Sequence, residues 1–112
     1  MQHSALEAKL AIRRALLGDA ARAGSVYVPF VGDGDLAAHV YQSRRCFAVD
    51  LDATRLETAR SRLLNSSVIV RADAMTAWPF AEHDARFSVA DCDAWANPYP
   101  ALAHFWRAAQ KE

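Results

Sequence analysis

The chain has 112 residues, 13 of them basic and 13 acidic, for no formal net charge, and just over half are apolar. That is material for one domain with its own core and without a strongly basic face, so nucleic acid stays open as a partner but is unsupported by charge. No run approaches the ~20 apolar residues that span a bilayer, and residues 1–4 lead into a charged amphipathic stretch, so the expectation is a soluble, cytoplasmic protein with no membrane partner.

Ser4-Ala5-Leu6-Glu7 fits a capping box, which opens a helical N-terminal segment over 4–18 that Gly18 stops. Leu6, Leu10, Ala11, Ala15 and Leu17 make its apolar stripe, leaving Lys9, Arg13 and Arg14 to water. Residues 25–30 are almost continuously apolar, the pattern of a strand buried on both faces and therefore central. A turn, Gly32-Asp33-Gly34-Asp35, leads into a short helix over 36–41. A second strand follows over 45–49, and Asp52 suits the cap of a helix in which Leu56, Ala59 and Leu63 recur at i, i+3 and i+7. Asn65-Ser66-Ser67 closes that helix, 68–72 reads as a third strand and 86–90 as a fourth. From Tyr99 a last helix begins, with Pro100 in its first turn and Leu102, Phe105 and Trp106 on one side.

Strands alternating with helices predict an α/β fold: a single domain over 1–112 with a Rossmann-like parallel sheet of about four strands and flanking helices. Ligands in such sheets lie outside the carboxyl ends of the strands, where Gly32, Gly34, Asp50, Asp73 and the run 91–97 converge. Cys46 and Cys92 have no CxxC or Cys/His spacing and read as reduced, buried thiols. The four histidines have no mutual spacing for a metal, and none is expected.

The turn after the first strand carries two acids. A pyrophosphate is favoured at a helix N-terminus, whereas Asp33 and Asp35 put negative charge there already and favour a cation such as a sulfonium or an ammonium. Their plainer role is to face solvent and stabilise the helix N-terminus. Asp50, ending the second strand, suits two ribose hydroxyls. Asp73 either accepts from a ligand amine or bonds its own turn backbone.

This order of features resembles the class I S-adenosylmethionine-dependent methyltransferases over about residues 5–108. Gly32 and Gly34 match the first two glycines of the family's loop; Val28 stands where its acid usually lies and Asp35 at the third glycine, so Asp33 or Asp35 would supply the missing carboxylate. The resemblance implies S-adenosylmethionine as cofactor. It implies cofactor contacts from Pro29, Phe30, Gly32, Asp33, Gly34, Asp35, Asp50, Leu51, Asp73, Ala74 and Asp91, with Leu51 against the adenine and Asp73 on its amino group. Asn97-Pro98-Tyr99 is similar to the acceptor loop of amino-group methyltransferases, which implies Asp91, Asp93, Asn97 and Tyr99 as the residues on the methyl acceptor, an amine or similar nucleophile.

Compared with the family's seven strands, the sequence is truncated after the helix that follows strand four. A homodimer or a partner subunit through the fourth-strand edge is therefore expected. Three other readings stay open. Gly32-x-Gly34-x-x-Ala37 with Asp50 also satisfies a nicotinamide-dinucleotide fingerprint. The chain could instead be a non-catalytic or partner-dependent cofactor-binding module, or an enzyme that cleaves the cofactor.

Overall fold

The structure is a computed structural model that describes residues 2–17, 24–42, 44–76, 78–80, 87–92 and 99–109. Its elements are α1 (Gln2–Leu17), β1 (Ser25–Pro29), α2 (Asp35–Val40), β2 (Cys46–Asp50), α3 (Ala53–Arg62), β3 (Val68–Arg71), β4 (Phe87–Ala90) and α4 (Tyr99–Ala109). The four strands form one parallel sheet in the order β3-β2-β1-β4. The expected α/β class and Rossmann-like sheet are what the structure has, and β1 is central as its apolar run predicts.

Alternation along β1 and β2 divides the core into two layers of different chemistry. Val26, Val28, Cys46 and Ala48 face one way and meet Ala37, Tyr41, Ala59 and Leu63 from α2, α3 and their C-terminal ends, an aliphatic layer. Tyr27, Phe47 and Val49 face the other way and meet Ala74, Phe80 and Ala101. That second layer is aromatic: the Tyr27 ring stacks on Phe105 of α4 at 5.3 Å between centroids and meets Trp78 edge-on at 4.8 Å. Phe47 in turn takes Phe80 and Phe87 edge-on, both at 5.1 Å.

Local chemistry sets the helix ends. Asp52 caps α3 as expected, its Oδ1 accepting from the backbone N–H of Thr54 at 2.9 Å and of Arg55 at 3.1 Å. Leu56 and Ala59 bury the face that the spacing predicts. Helix α1 departs from expectation in two ways. It starts at Gln2, so Ser4 lies within its first turn rather than at its cap. Its buried line runs through Leu10 and half-buried Leu17, while Ala11, Ala15, Ile12 and Leu16 are exposed. Arg13, three residues after Leu10 and four before Leu17, lies on that inner line and does not point to water.

Cys46 is a buried free thiol, and burial pushes its pKa up to about 11, so it stays protonated; Cys92 is half-buried and also free of a disulfide. The Tyr27 hydroxyl is buried with no hydrogen-bond partner among the described residues. Burial of an unbonded hydroxyl is worth roughly 1–3 kcal/mol against the fold. Tyr27→Phe, which keeps every ring contact, is expected to hold or raise stability in a urea titration. A loss above about 1 kcal/mol would show that the hydroxyl is bonded after all.

Candidate functional site

The carboxyl ends of β1 and β2 and the segments that leave them build the site. Beyond Pro29 the backbone of Phe30 turns into the left-handed region (φ 60°), followed by Gly32 (φ 61°) and Gly34 (φ 81°). The turn is closed by Val31 N–H on Val49 O at 3.0 Å and Gly34 N–H on Val31 O at 3.1 Å. The two glycines do different work. A Cβ on Gly34 would stand 3.0 Å from Ala59 Cα, so this glycine lets α3 pack against the start of α2; a Cβ on Gly32 meets nothing within 4 Å, and that side of the turn is open.

Asp50 organises this turn. Its Oδ2 accepts from the Gly32 backbone N–H at 2.9 Å and its Oδ1 from Asp52 N–H at 2.9 Å, so one carboxylate joins the glycine turn to the start of α3. Each oxygen keeps one further acceptor position. Asp73 accepts from Met75 N–H at 2.9 Å through Oδ1, and its carbonyl takes Thr76 Oγ1 at 3.1 Å, the geometry of a turn aspartate bonding its own backbone.

The acids of the loop lean sideways. Asp33 Oδ1 accepts from Asp35 N–H at 3.0 Å, and both carboxylates approach Arg62 Nη1 of α3, at 3.4 and 3.7 Å. All three side chains are substantially exposed, so the pairing is soft, yet it offsets the charge that the sequence places at the start of α2.

Asp91, directly after β4, is held hardest. Arg13 from α1 grips it in a fork, Nε to Oδ2 at 2.7 Å and Nη2 to Oδ1 at 2.8 Å, and the Tyr41 hydroxyl donates to Oδ2 at 2.7 Å. Its backbone N–H continues the sheet onto Tyr27 O at 2.8 Å. Burial first, and then the bond to Asp91, raise the Tyr41 pKa well above the usual tyrosine range, which keeps the hydroxyl a donor.

Two cavities meet at Phe30. One, of about 70 Å³, is lined by Phe30, Val49, Asp50, Leu51, Ala72, Asp73 and Ala74. The other, of about 40 Å³, is lined by Val28, Pro29, Phe30, Val31, Leu36, Ala37 and Asp91. Leu51 is exposed and Ala74 buried, so the first cavity has an apolar rim at the surface and a buried floor. A wider groove of about 260 Å³ runs between α1 and β4, with Ile12, Leu16, Leu17 and Val89 on its apolar side and Arg13, Tyr41 and Asp91 at its polar end.

Of the residues predicted from sequence, Pro29, Phe30, Asp50, Leu51, Asp73, Ala74 and Asp91 line these two cavities, and Gly32 opens beside them. Gly34, Asp33 and Asp35 are turned to α3. Tyr99 begins α4 and is exposed, while Asp93 and Asn97 lie outside the described residues. Arg13, Tyr41 and Arg62 are the polar partners that local pattern did not single out, although the spacing Leu10, Arg13, Leu17 marks Arg13 as facing inward.

No family model and no curated protein matches the sequence. Solved structures do share its fold. A TehB-like SAM-dependent methyltransferase from Corynebacterium glutamicum superposes with a TM-score of 0.59 at 19% identity, over 96% of this chain and 67% of that one. A Thermoplasma acidophilum protein designated 1320 gives a TM-score of 0.48 at 19% identity, over 96% of this chain and 64% of its own. The chain thus spans about two thirds of each. The fold is the Rossmann-like one of that methyltransferase, in four parallel strands.

The difference between the glycines is measurable. Gly34→Ala is expected to lower stability by about 2 kcal/mol through the contact with Ala59 and the positive φ, and Gly32→Ala by about 1 kcal/mol through φ alone, both read from chemical denaturation. Equal losses would mean that the approach of α3 is not what selects Gly34.

Proposed function

We propose that the chain binds S-adenosylmethionine along the carboxyl ends of β1 and β2 and transfers its methyl group to an amine or similar nucleophile. The observation that carries this reading is the pair of cavities that share Phe30, with the carboxylates of Asp50 and Asp73 in the wall of one and that of Asp91 in the other. Such a pair suits a ligand with a hydroxyl-rich half and an ammonium-bearing half. The fold shared with a TehB-like SAM-dependent methyltransferase supports it.

In this reading the larger cavity takes the adenosine, with Leu51 and Ala74 against the ring, Asp73 near its amino group and the remaining acceptor positions of Asp50 on the ribose. The open side of Gly32, with Pro29 and Phe30, borders the amino-acid half, which reaches Asp91. The cofactor supplies a methyl group made electrophilic by its sulfonium. When bound, it would allow in-line transfer of that methyl to an amine lone pair with a neutral thioether as leaving group, the proton of the methylated amine passing to solvent, while Asp50, Asp73 and Asp91 would hold the cofactor. The chain contributes position, with Asp93, Asn97 and Tyr99 assigned to the acceptor and Asp91 to the cofactor's ammonium. Orientation of this kind is worth several kcal/mol of barrier.

The edge of β4 bears on a second reading, a cofactor-binding module that acts only with a partner. Among the described residues strand β4 ends the sheet, and beside it α1 leaves Ile12 and Leu16 exposed over the groove. A second copy or a partner subunit pairing at this edge would cover them.

Calorimetric titration with S-adenosylmethionine, S-adenosylhomocysteine and NAD in parallel tests the cofactor. Binding of the first two alone is the expected outcome; binding of NAD alone would overturn the assignment. Asp50→Asn, which keeps the shape and weakens the acceptor, is expected to lower affinity for both adenosyl ligands by about tenfold, roughly 1.4 kcal/mol. Asn97→Ala is expected to abolish methyl transfer while leaving cofactor affinity within about twofold, whereas equal loss of both would make the loop structural.

A further inference from the structure

The small cavity beside the glycine turn has an unusual lining. Six of its seven residues, Val28, Pro29, Phe30, Val31, Leu36 and Ala37, are apolar, and the seventh is Asp91. Asp91 is thus the one lining residue with a polar side chain, beside the backbone groups of the strand end and turn, and the only fixed negative charge that a cationic group entering the cavity would meet. What Asp91 can offer is set by what already holds it.

An ionised carboxylate has about four acceptor positions, two on each oxygen. On Asp91, Oδ2 takes both Arg13 Nε at 2.7 Å and the Tyr41 hydroxyl at 2.7 Å, which fills it. Oδ1 takes Arg13 Nη2 at 2.8 Å, and among the described residues no second donor reaches it. The fork from α1 and the hydroxyl that follows α2 come from different elements, and together they remove the rotation that would exchange the two oxygens. Arg13 itself is anchored, its Nη1 donating to Lys9 O one helical turn back at 3.2 Å. The Asp91 side chain is 9% exposed, so water competes weakly for the last position.

We propose that Arg13 and Tyr41 are positioning residues that turn the Asp91 carboxylate so that one acceptor position, on Oδ1, is presented to the cavity, where it takes an N–H of the ligand's ammonium group. The inference rests on the reading that this cavity receives the amino-acid half of the cofactor. It assigns selectivity for that half to a residue of α1, 78 positions from Asp91 along the chain. It also explains why a sheet-edge carboxylate is held by three hydrogen bonds in place of being left to solvent: a freely rotating carboxylate would accept equally from water and discriminate less.

Two ligands separate positioning from mere support of the fold. S-adenosylhomocysteine carries the ammonium; 5′-methylthioadenosine has the same adenosine and no amino-acid half. For Tyr41→Phe, calorimetry is expected to show about a fivefold loss of affinity for S-adenosylhomocysteine, and for Arg13→Gln more than tenfold, with 5′-methylthioadenosine bound as tightly as by the unaltered chain in both cases. Arg13→Lys, which keeps the charge and loses the fork, is expected to fall with Arg13→Gln and not with the unaltered chain. Far-ultraviolet circular dichroism and thermal unfolding confirm that each variant is folded.

Equal weakening of both ligands would overturn the proposal, because the two residues would then only support the fold. Unchanged affinity for both would overturn it as well. If the unaltered chain binds 5′-methylthioadenosine and S-adenosylhomocysteine equally, the adenosine site stands and the ammonium assignment falls. If it binds neither, the cofactor reading falls and takes this one with it.

Discussion

The Asp50 carboxylate is the constraint on which the site depends. By accepting the Gly32 and Asp52 backbone N–H groups at once, it fastens the turn that leaves β1 to the turn that leaves β2. Three consecutive features follow from it. The Phe30 backbone is held in a conformation that phenylalanine rarely adopts, the glycine turn stays open on one side, and α3 begins where Asp52 can cap it. A neutral residue at position 50 would leave two backbone donors without their charged acceptor at the point where two cavities meet. Structure and proposed ligand binding thus share one side chain, which is why loss of affinity on changing Asp50 would mix a direct and an organising effect.

Around that fixed point, charge is distributed so that little of it is free. Asp33 and Asp35 are answered by Arg62, Asp91 by Arg13 and Tyr41, Asp73 by its own turn. Discrimination at the site then comes less from net potential than from which acceptor positions remain and where they point. The exposed Arg62 contacts and the enclosed Arg13 fork mark the two extremes. The first is screened by solvent and salt, whereas the second is short, bidentate and mostly shielded.

Much of the fold was legible because local patterns and global topology agree. Apolar runs located all four strands, and the β2 boundary moved by one residue because Asp50, though polar, still pairs, its carbonyl accepting from Ala72 N–H at 3.2 Å. The capping box at Ser4 failed because α1 starts earlier, where the sequence offers no distinctive cap. At the site, the strand-end acids and the open glycine were placed by the βαβ pattern itself. Arg13, Tyr41 and Arg62 escaped because their partners lie far along the chain, and hydrophobic periodicity assigns an arginine on an amphipathic helix to water by default. The resemblance makes Gly34 a ligand glycine, and the structure adds a packing constraint on it, Ala59 on a helix two elements later. Such packing needs tertiary structure to be seen.

The division of the core into an aliphatic and an aromatic layer has an optical consequence. Trp78 sits among the rings on the α4 side of the sheet, whereas Trp106, on α4, is 63% exposed. The glycine turn, Asp50 and the α2–α3 layer carry no indole among the described residues. With Trp95 and Trp106 replaced by phenylalanine, intrinsic fluorescence would watch the back of the sheet through Trp78, and a transition confined to the ligand face would pass unseen by it while changing the peptide signal in the far ultraviolet. Any mismatch between the two spectroscopic curves reads directly as one layer loosening before the other.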